Sequence, residues 1–511
     1  MNILPFLSAG FLLINPVLLA IFKRFEVQLE KLQFWVMVSS GSAWVFGASL
    51  LFLNPQSHLN PIWNAGEALL PSLAFSVDGF SAALSLSVCG ALFFIVLSRQ
   101  ESPQENALLS GLTGVSVLGI FADSAYTLAL FWTILELFHF SLAFFQSETE
   151  RISDHSLLGP LFRLAGPAIL IWITLIENGT GGTSFLTDWD SSAAYPLLAA
   201  GFLGFLSWFP GDSSFKPGNA ESSRTALQTW IPAALGLMLM VRAGNLLGDA
   251  DGFSLVSVVI SFLLVLTAAG GALLDTADRW WFVGCGLLVA GSAALADPVS
   301  ALSWGMVFML SGCLLWSEKH HSQSTYLLLG LGGLGILPLP FLPTWAGMGV
   351  FQPGLAGILL AAGCGLFLGA LVIAGLKSLA SAGESEEDLS PLIIIGSGIL
   401  LLSQVLIAFR LGLLEMSRGL LSRPAVIWLT PLMIVLSLIA GNWVPLAGKD
   451  LIVKRLTGIA ERLRQILLAV IRLVRWAVQF LIGLLEGDGG LIWALLFGFL
   501  ILTLISLGGG R

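Results

Sequence analysis

Long apolar runs separated by short polar segments recur along the whole chain. A helix needs about 20 apolar residues to cross the hydrocarbon core of a bilayer, so each run is a candidate span. The pattern predicts about sixteen transmembrane helices. They cover residues 3–22, 33–53, 72–98, 107–121, 125–146, 157–177, 193–209, 226–247, 253–273, 280–296, 299–316, 325–345, 355–376, 391–411, 425–441 and 489–508.

Composition supports the same class. The chain has 511 residues, of which 56% are hydrophobic and 11% are charged. These are too few polar groups to cover a water-soluble globule of this size. We therefore predict an all-α polytopic membrane protein, whose net charge of -8 says little about its partners.

The short polar segments leave little room for chemistry outside the membrane. No phosphate-binding glycine loop, Ser/His/Asp set or HExxH motif occurs in a suitable context. The four cysteines lie in apolar runs without metal-ligand spacing, so they are predicted to be small buried residues. They are Cys89, Cys285, Cys313 and Cys364. We expect no cofactor, no metal and no nucleic-acid partner, and we expect any catalysis to belong to other chains.

The distribution of basic residues predicts the orientation. Most lysines and arginines before residue 410 fall in loops that follow odd-numbered spans, as the pairs Lys23–Arg24 and Lys216–Arg224 illustrate. Cytoplasmic loops carry the excess of basic residues in membrane proteins. We therefore predict that the N-terminus lies outside.

Residues 448–486 have a different pattern, with a polar stripe on an otherwise apolar helix. Lys454, Glu461, Arg472 and Arg475 share that stripe. Such a helix would be about 55 Å long, much longer than a bilayer core of about 30 Å. It is predicted to lie along the cytoplasmic surface with its basic stripe toward lipid headgroups. For residues 465–485 an ordinary transmembrane helix is the alternative.

Glu136 is the carboxylate near the middle of the apolar stretch 121–144. An acid inside hydrocarbon is expensive unless it is protonated, paired or facing water, so it is a candidate for proton or ion handling. The alternative is a protonated acid that hydrogen bonds hold in place. His139 lies three residues later on the same helical face, where it would share a proton with Glu136 or hydrogen-bond to it.

Three other polar residues are candidates. Arg163 lies inside the sixth span beside Pro167, where a salt bridge with Glu136 is one option. Arg242 ends the eighth span and is predicted to anchor to headgroups or to form a structural ion pair. Asp78 precedes the third helix and is predicted to be its N-cap.

Several short motifs occur in the same order as in one known family. They are VDGFSAAL at 77–84, LELFHFSLA at 135–143, ENGTGGTSF at 177–185, SWFPGD at 207–212 and LGILPLPFLP at 334–343. Together with the surface helix, these motifs resemble the antiporter-like membrane subunits of respiratory complex I, membrane-bound hydrogenases and Mrp-type cation/proton antiporters. No single match is specific, but their order extends over the whole chain.

The resemblance implies two inverted five-helix repeats, about spans 4–8 and 9–13, each with a broken helix. The expected organisation is N-terminal helices 1–106, repeats 107–247 and 253–376, C-terminal helices 391–441, lateral helix 448–486 and last helix 489–508. It further implies partner membrane subunits and a bacterial-type inner membrane or an equivalent energy-transducing membrane.

The chain departs from the family at the relay positions. The resemblance implies buried lysines and histidines coupled to the fifth-helix glutamate. The aligned positions carry Ala199, Gln228, Trp304 and Trp345 instead, and no lysine occurs between Lys31 and Lys216. A buried lysine can release and regain a proton near neutral pH, whereas tryptophan and alanine cannot.

Three hypotheses follow. The first is a membrane-arm subunit of a complex I-like, proton-translocating assembly that keeps the fold and has a lost or impaired channel. The second is an active translocator with a rewired path through Glu136, His139, Arg163 and water. The third is a membrane partner of an inorganic-carbon uptake complex.

Overall fold

The computed structural model describes most of the chain up to residue 410. The described residues are 4–25, 29–52, 57–59, 73–98, 102–146, 158–179, 186, 189–205, 222–248, 255–274, 281–316, 323–337, 342–351, 354–381, 391–410, 435 and 469.

The described residues form fifteen α-helices and two short strands. The helices are α1 (Leu4–Arg24), α2 (Leu29–Phe52), α3 (Gly79–Ser98), α4 (Pro103–Ile120), α5 (Ala125–Gln146), α6 (Leu158–Gly179), α7 (Ala194–Phe205), α8 (Ser222–Leu247), α9 (Leu255–Leu274), α10 (Trp281–Ala294), α11 (Pro298–Trp316), α12 (Gln323–Ile336), α13 (Pro343–Gly347), α14 (Leu355–Ser381) and α15 (Pro391–Arg410). Two 3-10 turns lie at Ser191–Ala193 and Met348–Val350.

Each predicted span from 3–22 to 391–411 contains a helix. Within the described residues, six helices are long and apolar enough to cross a membrane, and several shorter apolar helices accompany them. The six candidate spans are Pro5–Arg24, Glu30–Phe52, Gly79–Ser98, Trp230–Leu247, Leu355–Val372 and Pro391–Phe409. Apart from residues 435 and 469, the predicted spans 425–441 and 489–508 and the lateral helix 448–486 lie outside the described part.

Two short strands add to the helices, a detail that the prediction of an all-α protein did not include. The strands β1 (Ser57–Leu59) and β2 (Phe75–Val77) pair antiparallel in the segment between α2 and α3. On its other side β2 bridges from Phe75 to Ala122, in the turn between α4 and α5. These pairings provide hydrogen-bond partners for backbone N–H and C=O groups in the segments that connect the helices.

Local sequence signals explain several helix starts. α4 begins four residues before the predicted span, because Ser102 and Glu105 form a reciprocal capping box with Pro103 at the first helical position. Asp78 caps α3 as predicted, since its Oδ1 accepts from the Ser81 backbone N–H at 2.6 Å.

The N-terminal helices pack through small and amide side chains. Asn15 of α1 donates to Ser39 of α2 and to Ser110 of α4, each at 2.6 Å. Gly111 of α4 lies so close to Pro16 of α1 that an added Cβ would overlap the proline ring. Small residues that allow close approach and polar groups that bond across helices are the usual devices of membrane packing.

The following helices pack as a chain of neighbours. In the first set, α4 contacts α5, α5 contacts α6, α6 contacts α7 and α7 contacts α8, while α8 also contacts α4 and α5. In the second set, α9 contacts α10, α10 contacts α11, α11 contacts α12 and α12 contacts α14, while α14 also contacts α9 and α10. α3 contacts α8, α11 and α15.

The chain divides into two compact units. Residues 1–64 and 71–444 form the first, and residues 65–70 and 445–511 form the second. All the helices and strands above belong to the first unit. The second, apart from residue 469, lies outside the described residues.

Candidate functional site

The central feature of the site is an ion pair between α5 and α6. Arg163 Nε donates to both carboxylate oxygens of Glu136, each at 2.8 Å. Both side chains are 1% exposed. A buried charge normally requires an opposite charge and hydrogen bonds, and this pair supplies both. The structure thus contains the salt bridge between Glu136 and Arg163, which the sequence had suggested as one option.

His139 completes the cluster through Arg163. Its Nδ1 lies 2.7 Å from Arg163 Nη2. Because a guanidinium only donates hydrogen bonds, Nδ1 accepts here and the ring is the tautomer protonated at Nε2. The histidine therefore contacts Arg163 and not Glu136, the partner that the helical spacing alone had suggested. A side chain from α6 lies between the two residues of α5.

Trp132 lies one turn before Glu136 on α5 and is fully buried. Its ring packs against Gly166 of α6 and Gly204 of α7. A Cβ at Gly166 would lie 2.7 Å from a ring carbon, and a Cβ at Gly204 would overlap the ring. Only glycine fits at either position, because the indole fills the space between α5, α6 and α7.

A second group of aromatic side chains fills the contact between α7, α8 and α11. The rings of Phe205 and Phe308 have centroids 5.0 Å apart, and Trp230 meets Phe308 at 5.8 Å. All three side chains are buried. These interlocking rings form a packed apolar layer.

The four positions aligned with the family's relay have different surroundings. Trp304 is buried in α11 and donates to the carbonyl of Gly347 at 3.0 Å. Trp345 is partly buried in α13, and Ala199 lies on the exposed face of α7. Gln228 belongs to α8, but its side chain lies outside the described part.

The exposure of Ala199 matters for the alignment. A relay lysine at this position would point away from the interior of the helix bundle. Ala200, one residue later, is fully buried. Each residue turns an α-helix by about 100°, so a shift of one residue decides which face a side chain occupies.

Comparisons with known proteins identify the fold. No family model matches the sequence, and no curated protein matches it. A chain in the structure of the Mrp complex from Dietzia sp. DQ12-45-1b aligns with a TM-score of 0.67 at 14% identity, over 100% of this chain and 63% of that chain. A chain of the membrane-bound sulfane sulfur reductase, an archaeal respiratory membrane complex, aligns at 0.63 and 15% identity, over 97% and 99%. A chain of respiratory complex I from Thermus thermophilus aligns at 0.54 and 16% identity, over 84% and 99%.

The chain has the antiporter-like subunit fold. It spans 63% of the Mrp-complex chain and nearly all of the other two. Helix α12 ends at Ile336 and α13 begins at Pro343, so both of these boundaries fall within the motif at 334–343.

A second ion pair lies near the end of α8 in the antiporter-like fold. Arg242 Nη1 is 3.5 Å from Asp123 Oδ1, and the two side chains are 6% and 4% exposed. Arg242 therefore forms an ion pair with a buried carboxylate, the contact that one of its two predicted roles requires. Asp123 was missed by sequence reasoning because it precedes α5 in an ordinary turn. It lies about 20 Å along the helix axis from Glu136, so the two pairs are separate.

The described residues offer no other obvious chemistry. No group of three or more His, Cys, Asp or Glu side chains among them could hold a metal ion. The four cysteines are free and buried, in agreement with their prediction as packing residues.

Proposed function

We propose that this chain is an antiporter-like membrane-arm subunit of a multi-subunit, complex I-like proton-translocating complex, and that its own proton channel is impaired. The arrangement around Glu136 supports the proposal of an impaired channel. Glu136 is bound to an arginine, and packed aromatic rings occupy the space between this pair and the next helices.

The choice of arginine is important for proton transfer. A relay partner must lose and regain a proton, and arginine stays protonated under all physiological conditions. Arg163 Nε holds both oxygens of Glu136 at 2.8 Å. Because the partner of Glu136 is an arginine, the pair lacks the exchangeable amine that a working relay would use.

The aromatic packing supports the same proposal. Trp132 fills the space that leads from Glu136 toward α7. Beyond it, Phe205, Trp230 and Phe308 fill the contact of α7 with α8 and α11. A proton crosses such a layer only through water or titratable groups, and a close-packed apolar layer excludes water.

The helix contacts support two five-helix repeats. Replacing α4, α5, α6, α7 and α8 by α9, α10, α11, α12 and α14 converts each contact of the first set into one of the second. We propose that these sets are the inverted repeats, with α12 and α13 as one broken helix. Internal repeats with interrupted helices are typical of membrane transporters.

The remaining features are part of the same proposal. The chain would have about sixteen spans, its N-terminus outside, and the lateral helix 448–486 on the cytoplasmic surface against lipid and neighbouring subunits. It would be located in a bacterial-type inner membrane or an equivalent energy-transducing membrane. Redox catalysis would belong to partner chains.

One observation favours an active translocator as the second candidate. Arg163 is in direct contact with both Glu136 and His139, and all three side chains are buried. Ionisable residues inside a membrane often mark a conduction path. A rewired path would use His139 as the group that exchanges its proton, because Arg163 cannot.

The test is proton pumping by the intact complex in proteoliposomes. For Glu136→Gln we expect pumping per redox turnover to stay close to the wild-type value, because the carboxylate is not part of a working path. Glu105→Gln, in the exposed capping box of α4, is the matched control.

Assembly has to be measured alongside pumping, since Glu136→Gln leaves Arg163 without its counter-charge. The double variant Glu136→Gln/Arg163→Gln removes both charges and is expected to assemble more readily. Loss of most proton transport in either variant, with assembly intact, would show that the path through Glu136 works and would establish the second candidate.

A further inference from the structure

The interruption between α12 and α13 creates a segment that needs outside hydrogen bonds. α13 has only five residues and continues into the 3-10 turn Met348–Val350. The last carbonyls of a helix have no partner within it, and a short helix consists largely of such ends. Carbonyls buried in a membrane are costly to leave without a donor.

Side chains supply these donors. Trp304 of α11 donates from Nε1 to Gly347 O at 3.0 Å. Thr344 of α13 donates to Leu337 O, just past α12, at 2.9 Å. The first bond joins α13 to α11, and the second bridges the interruption itself.

Ser300 also approaches this segment, 3.4 Å from Ala346 O, but its hydroxyl has a stronger acceptor. It lies 2.6 Å from Asp297 Oδ2. A hydroxyl carries one hydrogen, which the charged acceptor at the shorter distance takes. Trp304 is therefore the principal side-chain donor from α11 to the carbonyls of α13.

A glycine in α13 allows the indole of Trp304 to approach the backbone closely. An added Cβ at Gly347 would lie 2.8 Å from Trp304 Nε1, so the ring approaches this glycine more closely than any other residue allows. The other side of the contact is closed by Phe351, whose ring centroid is 6.4 Å from that of Trp304. Both rings are buried.

We infer that Trp304 is a latch that holds the segment 343–351 closed against α11. The indole N–H satisfies the carbonyl at the end of α13, its ring packs on Phe351, and neither interaction depends on a proton that can be lost. The latch fixes the interrupted helix in one conformation. This inference concerns local opening and does not depend on whether the chain conducts protons.

Cysteine labelling of the assembled complex in nanodiscs tests the latch. Met348 lies in the 3-10 turn of the segment and is 2% exposed, so a Met348→Cys variant should react slowly with N-ethylmaleimide. The four native cysteines are buried and give the background rate. Adding Trp304→Phe, which keeps a ring and removes the N–H, should accelerate labelling roughly tenfold, equivalent to about 1.4 kcal/mol in the opening equilibrium.

A matched control uses the same substitution elsewhere. Trp172 of α6 is 60% exposed, so Trp172→Phe in the Met348→Cys background should leave the rate unchanged. Equal labelling rates in the Trp304→Phe and Trp172→Phe proteins would overturn the latch. Faster labelling accompanied by faster reaction of the native cysteines would also overturn it, since that result indicates general loosening.

A second pair of variants acts from the other side of the contact and applies if Trp304→Phe fails to assemble. Gly347→Ala places a methyl group against the indole and should accelerate labelling of the introduced thiol in the Met348→Cys protein. Gly330→Ala of α12 should not, because nothing lies within 4 Å of its added Cβ. Identical rates in these two proteins would refute the latch.

Discussion

Removing one charge from the pair of Glu136 and Arg163 should destabilise the protein more than removing both. The structure supports this prediction because both side chains are 1% exposed and a single guanidinium nitrogen bonds both carboxylate oxygens. Glu136→Gln leaves a buried cation without its counter-charge, and Arg163→Gln leaves a buried anion.

The expected magnitudes follow from this burial. Breaking a buried pair by removing one partner costs about 3 to 5 kcal/mol, whereas replacing both partners with neutral groups of similar size is often close to neutral. We expect each single substitution to lower stability by about 3 kcal/mol or more and the double substitution by about 1 kcal/mol or less. Arg163→Gln and the double variant both remove the hydrogen-bond donor to His139 as well, whereas Glu136→Gln keeps it.

The measurement is reversible unfolding of the purified full chain in mixed micelles, with the four proteins of the cycle compared under identical lipid and pH. Glu105→Gln serves as the control for the substitution itself, since Glu105 is partly exposed in the α4 capping box. Its change should stay below about 1 kcal/mol, the typical worth of a cap.

Additivity would refute this reasoning. If the double variant loses as much stability as the sum of the two single variants, the two side chains do not share a buried ion pair. The same conclusion follows if the single variants resemble Glu105→Gln, because solvent or lipid headgroups would then be screening the charges.

Two further predictions concern helix packing and capping. Gly111→Ala should lower stability by about 1 to 3 kcal/mol, because the added methyl group would overlap Pro16. Gly398→Ala is the control and should be neutral or stabilising, because its methyl group meets nothing within 4 Å. Unfolding of the purified protein compares the two variants, and equal effects would contradict the close approach of α4 to α1. Asp78→Ala should cost about 1 kcal/mol by removing the cap of α3, while Asp190→Ala, whose side chain makes no cap hydrogen bond, should have little effect in the same assay.

The sequence predicted those features that depend on local composition. Apolar length located the helices up to residue 410, and the Asp78 cap followed from its place before α3. The pair of Glu136 and Arg163 could be anticipated as an option because each is an isolated charge in an apolar span on neighbouring helices. A lone charge in such surroundings needs a partner, and the chain offers few.

The features that the sequence did not predict depend on which face of a helix a residue occupies. Counting from a motif selected Ala199 but did not predict that it is exposed while Ala200 is buried. Nothing local in the sequence indicates that Trp132 will insert between Gly166 and Gly204, because those glycines belong to two other helices. Likewise, the spacing of Glu136 and His139 predicted their common face but not the arginine that enters between them.

The ion pair and the proposed latch are consistent with a chain that keeps an antiporter-like fold and, as proposed above, has an impaired channel. A titratable amine that pairs with a buried acid does so most strongly while it is protonated. Its contacts therefore weaken each time it releases a proton during transport. Arg163 of α6 and Trp304 of α11 are permanent donors to buried acceptors. Such donors satisfy Glu136 and the end of α13 in a single state, which favours rigidity over exchange. If the proposed function is correct, such a subunit has a structural role in its complex, and neighbouring subunits transfer the protons.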